Sequence, residues 1–268
     1  MVASSGTGRG PQALGEALAL PDRVALLLRD RILSGELTPG TFLRVDRLGE
    51  EFGVSQTPVR EALQSLRADD MVRALPRRGY VVAPMARGDV GDLFAAQAHL
   101  TGELAARAAA AAGPADLAAL REHDAEVARL AEVCEARDGD RAGPDAPGGL
   151  VRAAAPVGPS GADASDHGLA LAHAEHEFHA AVNRTASSRK LAWLAGCAER
   201  YLPPRFYTAS AAWRAATRRS HAELLDALAG ADADAAREAM ARHVLDGRDL
   251  LLAHLDAIGF FAEKAPTA

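Results

Sequence analysis

The chain has 268 residues, a formal net charge of −6 and two cysteines. Its length suits two domains with connecting chain, and a composition rich in Ala, Leu and Arg, with 4% aromatic residues, favours helices over sheets. Cys134 and Cys197 are far apart in sequence and form no CxxC-like pattern, so the sequence indicates neither a disulfide framework nor a thiolate metal site. Apolar runs stay well short of the roughly 20 residues of a spanning helix, and residues 1–12 lack the apolar core of a signal peptide. We therefore expect a mostly α protein in the cytoplasm, without a membrane partner.

Charge is distributed unevenly along the chain. Residues 22–87 contain eleven arginines against nine acidic residues, so this segment is slightly positive although the whole chain is acidic. Such an asymmetry is expected when one domain meets phosphate and the other does not.

Residues 1–18 lack clear periodicity and are interpreted as a flexible N-terminal arm. Apolar residues then recur at helical spacing over 22–33, which predicts a first helix. Leu48 and Phe52 mark a short second helix that ends at Gly53, where a residue without Cβ allows a tight reversal. Ser55 is a good N-cap for a third helix reaching about residue 70. This succession predicts a helix-turn-helix.

Two short β-type runs follow at 72–75 and 80–83, and the turn between them carries Arg77 and Arg78. The pattern predicts a β-hairpin. Placed directly after a helix-turn-helix, the hairpin would be a wing whose guanidinium groups meet phosphates or a minor groove.

The segment GVSQTPVREAL at 53–63, with RGYVV at 78–82, resembles the GntR regulators, and the helical remainder resembles the FCD effector domain of their FadR branch. The resemblance implies a winged helix-turn-helix at 19–87, with three helices and a hairpin wing, that binds double-stranded operator DNA. The residues predicted to contact DNA are Arg47, Ser55, Gln56, Thr57, Pro58, Arg60, Arg77, Arg78 and Gly79.

One position departs from the pattern of the family. Many members carry Arg where this chain has Gln56. Arg prefers guanine O6/N7, whereas Gln pairs more naturally with adenine N6/N7. An altered operator preference is expected.

The second domain is predicted at 88–262, as an all-α bundle of six or seven helices, followed by a tail at 263–268. Helical patterns cover 173–184, 191–207, 212–229 and 233–255, besides two helices before residue 138. Residues 138–167, rich in Gly, Pro, Ala and Asp, are interpreted as a flexible insertion.

The bundle carries a group of potential metal ligands. Glu175 and His179 are one helical turn apart and point to the same side, while His221 and His243 lie on two later helices joined by a short turn. The four resemble the pattern of the metal-binding FCD proteins, Asp-x-x-x-His and two later histidines, with Glu replacing Asp. Three imidazoles and one carboxylate suit a divalent metal such as zinc or nickel and leave positions open for an acid ligand.

The effector implied by this site is a small carboxylate or hydroxy acid that can chelate the metal. The family often has an arginine on the first helix of the effector domain, but the corresponding residues 95–100 here contain Gln97 and no arginine. Arg205 is the alternative source of a cation, although Pro203 and Pro204 equally indicate a helix kink with Arg205 at the surface. Gln97 and Arg205 are the candidate effector-binding residues.

Taken together, the sequence predicts a ligand-responsive, non-enzymatic transcription regulator that acts as a homodimer on a pseudo-palindromic operator. One alternative keeps the regulator but replaces the metal site with a metal-free pocket for a larger apolar effector. Another is a metal-dependent hydrolase, since Glu near several histidines can activate water at zinc. The winged helix-turn-helix argues against the hydrolase.

Overall fold

The computed structural model describes residues 19–76, 78–141, 167–199 and 204–261. Its N-terminal part contains helices α1 (Leu20–Leu33), α2 (Val45–Phe52) and α3 (Gln56–Ala68), and strands β1 (Phe42–Leu43), β2 (Val72–Leu75) and β3 (Gly79–Val82). The strands form an antiparallel sheet in the order β1-β3-β2. The predicted winged helix-turn-helix is confirmed, with β1 as an additional strand.

The turn between α2 and α3 depends on Gly53. This residue ends α2 in the left-handed region at φ +65, which costs glycine no steric penalty. Ser55 occupies the N-cap position of α3, as predicted, but its side chain makes no capping hydrogen bond. Val59, Leu63 and Leu66 of α3 are buried in one core with Leu28 of α1. That packing fixes which face of α3 remains exposed.

The C-terminal part consists of seven described helices, in agreement with the predicted helical bundle. They are α4 (Arg87–Ala111), α5 (Pro114–Arg141), α6 (His167–Thr185), α7 (Arg189–Glu199), α8 (Pro204–Ala209), α9 (Ala211–Ala229) and α10 (Ala233–Ala257). Helix α10 packs along α4 and α9, and α5 packs along α6. None of the described helices combines the length and the apolar character that crossing a bilayer requires.

The helix predicted over 191–207 is described only in part: α7 covers Arg189–Glu199, α8 begins at Pro204, and residues 200–203 lie outside the described residues. One predicted boundary needs correction. The predicted insertion at 138–167 is too wide, since α5 continues to Arg141 and α6 begins at His167. Residues 142–166, the arm at 1–18 and the tail from 262 lie outside the described residues.

The two parts meet where the end of α1 approaches the end of α10. His254 Nε2 lies 2.9 Å from the carbonyl oxygen of Ser34 and can donate a hydrogen bond to it. Gly35 follows at φ +82, and a Cβ there would lie 2.1 Å from Ile258 Cδ1. A larger residue at this position would be strained by the positive φ and would require the exposed Ile258 side chain to rotate away. Met85 packs against both hydrophobic cores.

Candidate functional site

The outward face of α3 carries the polar side chains predicted to read DNA. Gln56, Thr57 and Arg60 are exposed there, and Ser55 is exposed just before the helix. The Arg60 guanidinium donates a 3.2 Å hydrogen bond from Nη2 to Gln56 Oε1, one helical turn away. Pro58 departs from the prediction, because its ring is buried on the core side of α3 and is not presented with the polar face.

The β2–β3 turn forms the tip of the wing. Arg78 is exposed there, and its backbone N–H donates to the Leu75 carbonyl at 3.1 Å. Gly79 begins β3, and Arg77 lies outside the described residues. Arg47 is exposed on α2. The exposed arginines therefore come from more than one element of this domain.

The four predicted metal ligands converge in the bundle. Glu175 and His179 come from α6, His221 from α9 and His243 from α10, and one donor atom of each lies within 4.8 Å of all the others. Glu175 and His221 are buried, and the other two are partly buried. The cluster could hold a metal ion.

Glu175 Oε1 is at the centre of the cluster. It lies 3.3 Å from His179 Nε2, 3.4 Å from His221 Nε2 and 3.2 Å from His243 Nε2, and the His179 and His243 Nε2 atoms are 3.2 Å apart. Ligands bonded to a tetrahedral zinc ion at about 2.0–2.1 Å lie about 3.3–3.4 Å from one another. The spacing of these donor atoms therefore fits a first-row metal.

Hydrogen bonds on the far side of two rings orient the Nε2 atoms. His221 Nδ1 lies 2.9 Å from Asp124 Oδ1 and must donate, because an ionised carboxylate only accepts. His243 Nδ1 lies 2.9 Å from Ser220 Oγ, whose single hydrogen has backbone carbonyl acceptors in its own helix. Both rings, when neutral, therefore present an Nε2 lone pair to the cluster, as metal ligation requires.

Two buried atoms of the cluster have no hydrogen-bond partner among the described residues, namely Glu175 Oε2 and His221 Nε2. Buried polar atoms are normally satisfied, so such orphans indicate an additional group. A divalent cation would satisfy both atoms and neutralise the carboxylate.

Burial and close contacts between ionisable groups shift the pKa values of the cluster residues. Burial by itself disfavours charged His221, but Glu175 and Asp124 outweigh burial and raise the pKa of His221 to about 9. Burial would raise the pKa of Glu175, yet the three imidazoles hold it well below its usual value. Burial lowers the pKa of His243, against the effect of Glu175. The site thus stabilises a positive charge between carboxylates.

Asp124 was not among the residues predicted from the sequence, and its contact leads to the first testable prediction. We expect Asp124→Ala to weaken metal affinity about 10- to 100-fold, because His221 would lose the acceptor that fixes its ring. Competition with a chromophoric chelator measures the affinity. His123→Ala, which changes the neighbouring residue outside the cluster, serves as the control. Equal affinities for Asp124→Ala and the wild type would contradict this role.

A cavity of about 210 Å³ opens beside the cluster. Glu175, His179 and His243 line it, together with Gln97, one of the two candidate effector-binding residues. The backbone of Arg205 lies in α8, but its side chain is outside the described residues. The apolar part of the wall comes from several helices and includes Leu26, Phe94, Trp213 and Val244. The cavity therefore combines potential metal ligands with a largely apolar wall.

The fold and these sites define a DNA-binding protein of the winged helix-turn-helix class with an attached helical domain. Residues 20–82 match the family described as bacterial regulatory proteins, gntR family, and residues 157–246 match the FCD domain. The chain therefore contains a DNA-binding domain of the gntR family and an FCD domain that fits the FadR-like branch.

Curated relatives agree with this assignment. The gluconate operon transcriptional repressor of Bacillus licheniformis is 42% identical over 72 residues, 27% of this chain and 29% of the repressor. YieP of Escherichia coli K12, named as an uncharacterized HTH-type transcriptional regulator, is 52% identical over 66 residues, 24% of this chain and 29% of YieP. The chain thus spans less than a third of the length of these relatives. Their names are those of regulators, which agrees with the expected absence of enzymatic function.

Solved structures show the same fold over most of the chain. McbR/YncC of E. coli has a TM-score of 0.58 at 20% identity, covering 88% of this chain and 98% of that chain. Lar, which controls the agr system of Listeria monocytogenes, has a TM-score of 0.51 at 18% identity with the same coverage.

Proposed function

We propose that the protein is a ligand-responsive transcription regulator that acts in the cytoplasm as a homodimer on double-stranded operator DNA. The FCD domain binds a small organic acid at a divalent metal, zinc or nickel, held by Glu175, His179, His221 and His243. The observation that carries this proposal is the convergence of those four donor groups beside a cavity, in a chain that also has a gntR-family domain.

The DNA-binding part of the proposal rests on exposure and chemistry. Gln56, Thr57 and Arg60 extend from the start of α3, the part of a recognition helix that enters the major groove. Gln56 and Arg60 are already hydrogen-bonded, so they would approach the bases as a unit. Arg47, Ser55, Arg77, Arg78 and Gly79 complete the proposed contact set around α3 and the wing. In a homodimer, two such surfaces would meet half-sites about 34–36 Å apart or at a multiple of that spacing.

The ligand part of the proposal rests on the donor set. Imidazole and carboxylate ligands suit zinc or nickel, and four protein ligands leave room for an acid if the coordination number exceeds four. A cavity of about 210 Å³ lies below the range of about 300–1,000 Å³ typical of drug-sized ligands, which favours a small effector. A metal-free pocket for an apolar effector is the second candidate, favoured by the largely apolar wall.

Metal analysis separates these two candidates. Purified untagged protein is expected to contain close to one divalent metal per chain, and a His179→Ala, His221→Ala double variant is expected to contain none. No metal in either protein, even after reconstitution with zinc or nickel, would contradict the metal site and favour the apolar pocket.

Operator selection tests DNA recognition at Gln56. We expect Gln56→Arg to shift the preferred base in each half-site from adenine towards guanine, with discrimination of about 1–3 kcal/mol. The measurement is selection from randomised duplex DNA at one fixed salt concentration, since salt alone changes affinity. Gln64→Arg adds the same charge further along α3 and should leave the base preference unchanged. An unchanged preference in Gln56→Arg would rule out a base contact there.

A further inference from the structure

One charged residue in the wall of the FCD cavity comes from the other domain. Arg29 lies on α1, in the winged helix-turn-helix part, and lines the cavity together with Leu26 of the same helix. The ligand site is therefore completed by the DNA-binding domain.

The Arg29 guanidinium is buried and only partly satisfied. Nη2 donates a 2.8 Å hydrogen bond to Asp69 Oδ2, and the two side chains are 11% and 8% exposed. Nε has no hydrogen-bond partner among the described residues. Arginine presents its donors as a planar fork suited to carboxylate groups. Arg29 thus places a positive charge in the wall of the cavity, and Asp69 engages only part of its guanidinium, which suits this position to an anionic ligand.

The remaining charges of the described wall leave this position suited to an anion. Glu175 is surrounded by three imidazoles, and Glu199 Oε2 lies 3.7 Å from His176 Nδ1. Both carboxylates therefore have imidazole neighbours of their own. Arg29, which belongs to α1, adds a positive charge to the same wall.

We propose that Arg29 binds the second carboxylate of a small dicarboxylic acid whose first carboxylate lies at the Glu175–His179–His221–His243 cluster. This inference rests on the proposed function and makes the effector class narrower, from any small acid to a dianion. It also places an effector contact on the DNA-binding domain itself.

The second partner of Arg29 gives this contact a regulatory consequence. Asp69 is the C-cap residue of α3, the proposed recognition helix. A ligand carboxylate bound to the guanidinium, whose Nη2 atom already binds Asp69, would connect the cavity to the end of α3. Such a ligand binds more tightly when α1 closes against the cavity than when it moves away, which is the differential affinity that regulation needs.

The test compares two hydroxy acids that share the chelating end. Malate carries a second carboxylate where 2-hydroxybutyrate has a methyl group. With metal-loaded wild-type protein, calorimetry should show tighter binding of malate. Arg29→Met should weaken malate binding about 10- to 150-fold and leave 2-hydroxybutyrate binding within about twofold, because only the charged hydrogen bonds are lost. Tartrate extends the dianionic set, and citrate adds a third carboxylate.

Two further variants control for folding and for charge. Arg29→Met alone leaves the buried Asp69 carboxylate without the Arg29 guanidinium that it binds, which could destabilise the fold. The double variant Arg29→Met, Asp69→Leu removes both charges together and so avoids an unpaired buried charge. Arg23→Met removes an arginine of α1 that is not part of the cavity wall and should bind malate as the wild type does.

The outcomes separate this inference from the metal site. Metal content is measured first, and loss of metal from all proteins counts against the proposed function. Normal metal content with equal malate affinity in the wild type and both Arg29 variants overturns the role of Arg29. Failure of malate, tartrate and citrate to bind metal-loaded wild type at millimolar concentration overturns the dianionic class. With an operator selected from random DNA, malate should change the affinity of the wild type and not that of the double variant.

Discussion

Adding zinc to metal-free protein is expected to raise the midpoint of thermal unfolding of the FCD domain by about 5–10 °C. At a free concentration of about 100 times Kd, binding to the native state alone contributes about 2.7 kcal/mol, and each kcal/mol shifts the midpoint by about 2–4 °C for 150–250 residues. Differential scanning calorimetry after removal of metal with a chelator measures the shift.

Neighbouring histidines on α6 provide the matched control for this experiment. His179→Ala removes a ligand of the cluster and should abolish the zinc-dependent shift. His176→Ala changes a residue whose side chain is 57% exposed and outside the cluster, so its shift should equal that of the wild type. An equal zinc shift in His179→Ala and the wild type would refute the assignment of the site.

Phe178→Ala is expected to cost about 3–5 kcal/mol of the free energy of unfolding. Its ring is fully buried and stacks on His221, with the ring centroids 4.0 Å apart and the planes 21° from parallel. Removing the ring leaves a cavity in the core and takes away the surface that holds the imidazole. A fall in the midpoint of about 6–20 °C should accompany it, measured by calorimetry without added metal.

A smaller change at the same position distinguishes the loss of ring packing from a general sensitivity of α6 to substitution. Phe178→Leu keeps most of the buried volume and should cost less than about 1.5 kcal/mol. Similar costs for the two variants, or a loss below about 1 kcal/mol for alanine, would contradict the stacking role of Phe178.

The elements of the DNA-binding domain could be predicted because their signals are local. The apolar spacing of α1 and α3, Gly53 at the end of α2 and the two β-type runs of the wing each lie within a few residues. Strand β1 was missed because its two residues, Phe42 and Leu43, are too few to establish a period and are defined by their pairing with β3.

The metal cluster was predicted in two ways. Glu175 and His179 share a helix face, which spacing alone reveals, whereas the inclusion of His221 and His243 depended on the resemblance to a family. Asp124 was missed because it is 97 residues from His221 and only the packing of α5 against α9 brings them together. Arg29 was missed for a similar reason, since no local pattern shows that a helix of one domain closes a cavity of the other.

Helix α10 runs without interruption from the candidate metal cluster to the junction between the two domains. His243 and His254 are eleven residues apart on it, about 16–17 Å along the axis, and three turns bring them to nearly the same side. Helix shifts of about 1–2 Å are common at interfaces. A shift of that size along the α10 axis would move His254 by the same distance against the Ser34 carbonyl that it contacts. In the proposed homodimer, α10 would therefore link the coordination geometry of the proposed metal mechanically to the spacing of the two recognition helices, in addition to the electrostatic link proposed for Arg29.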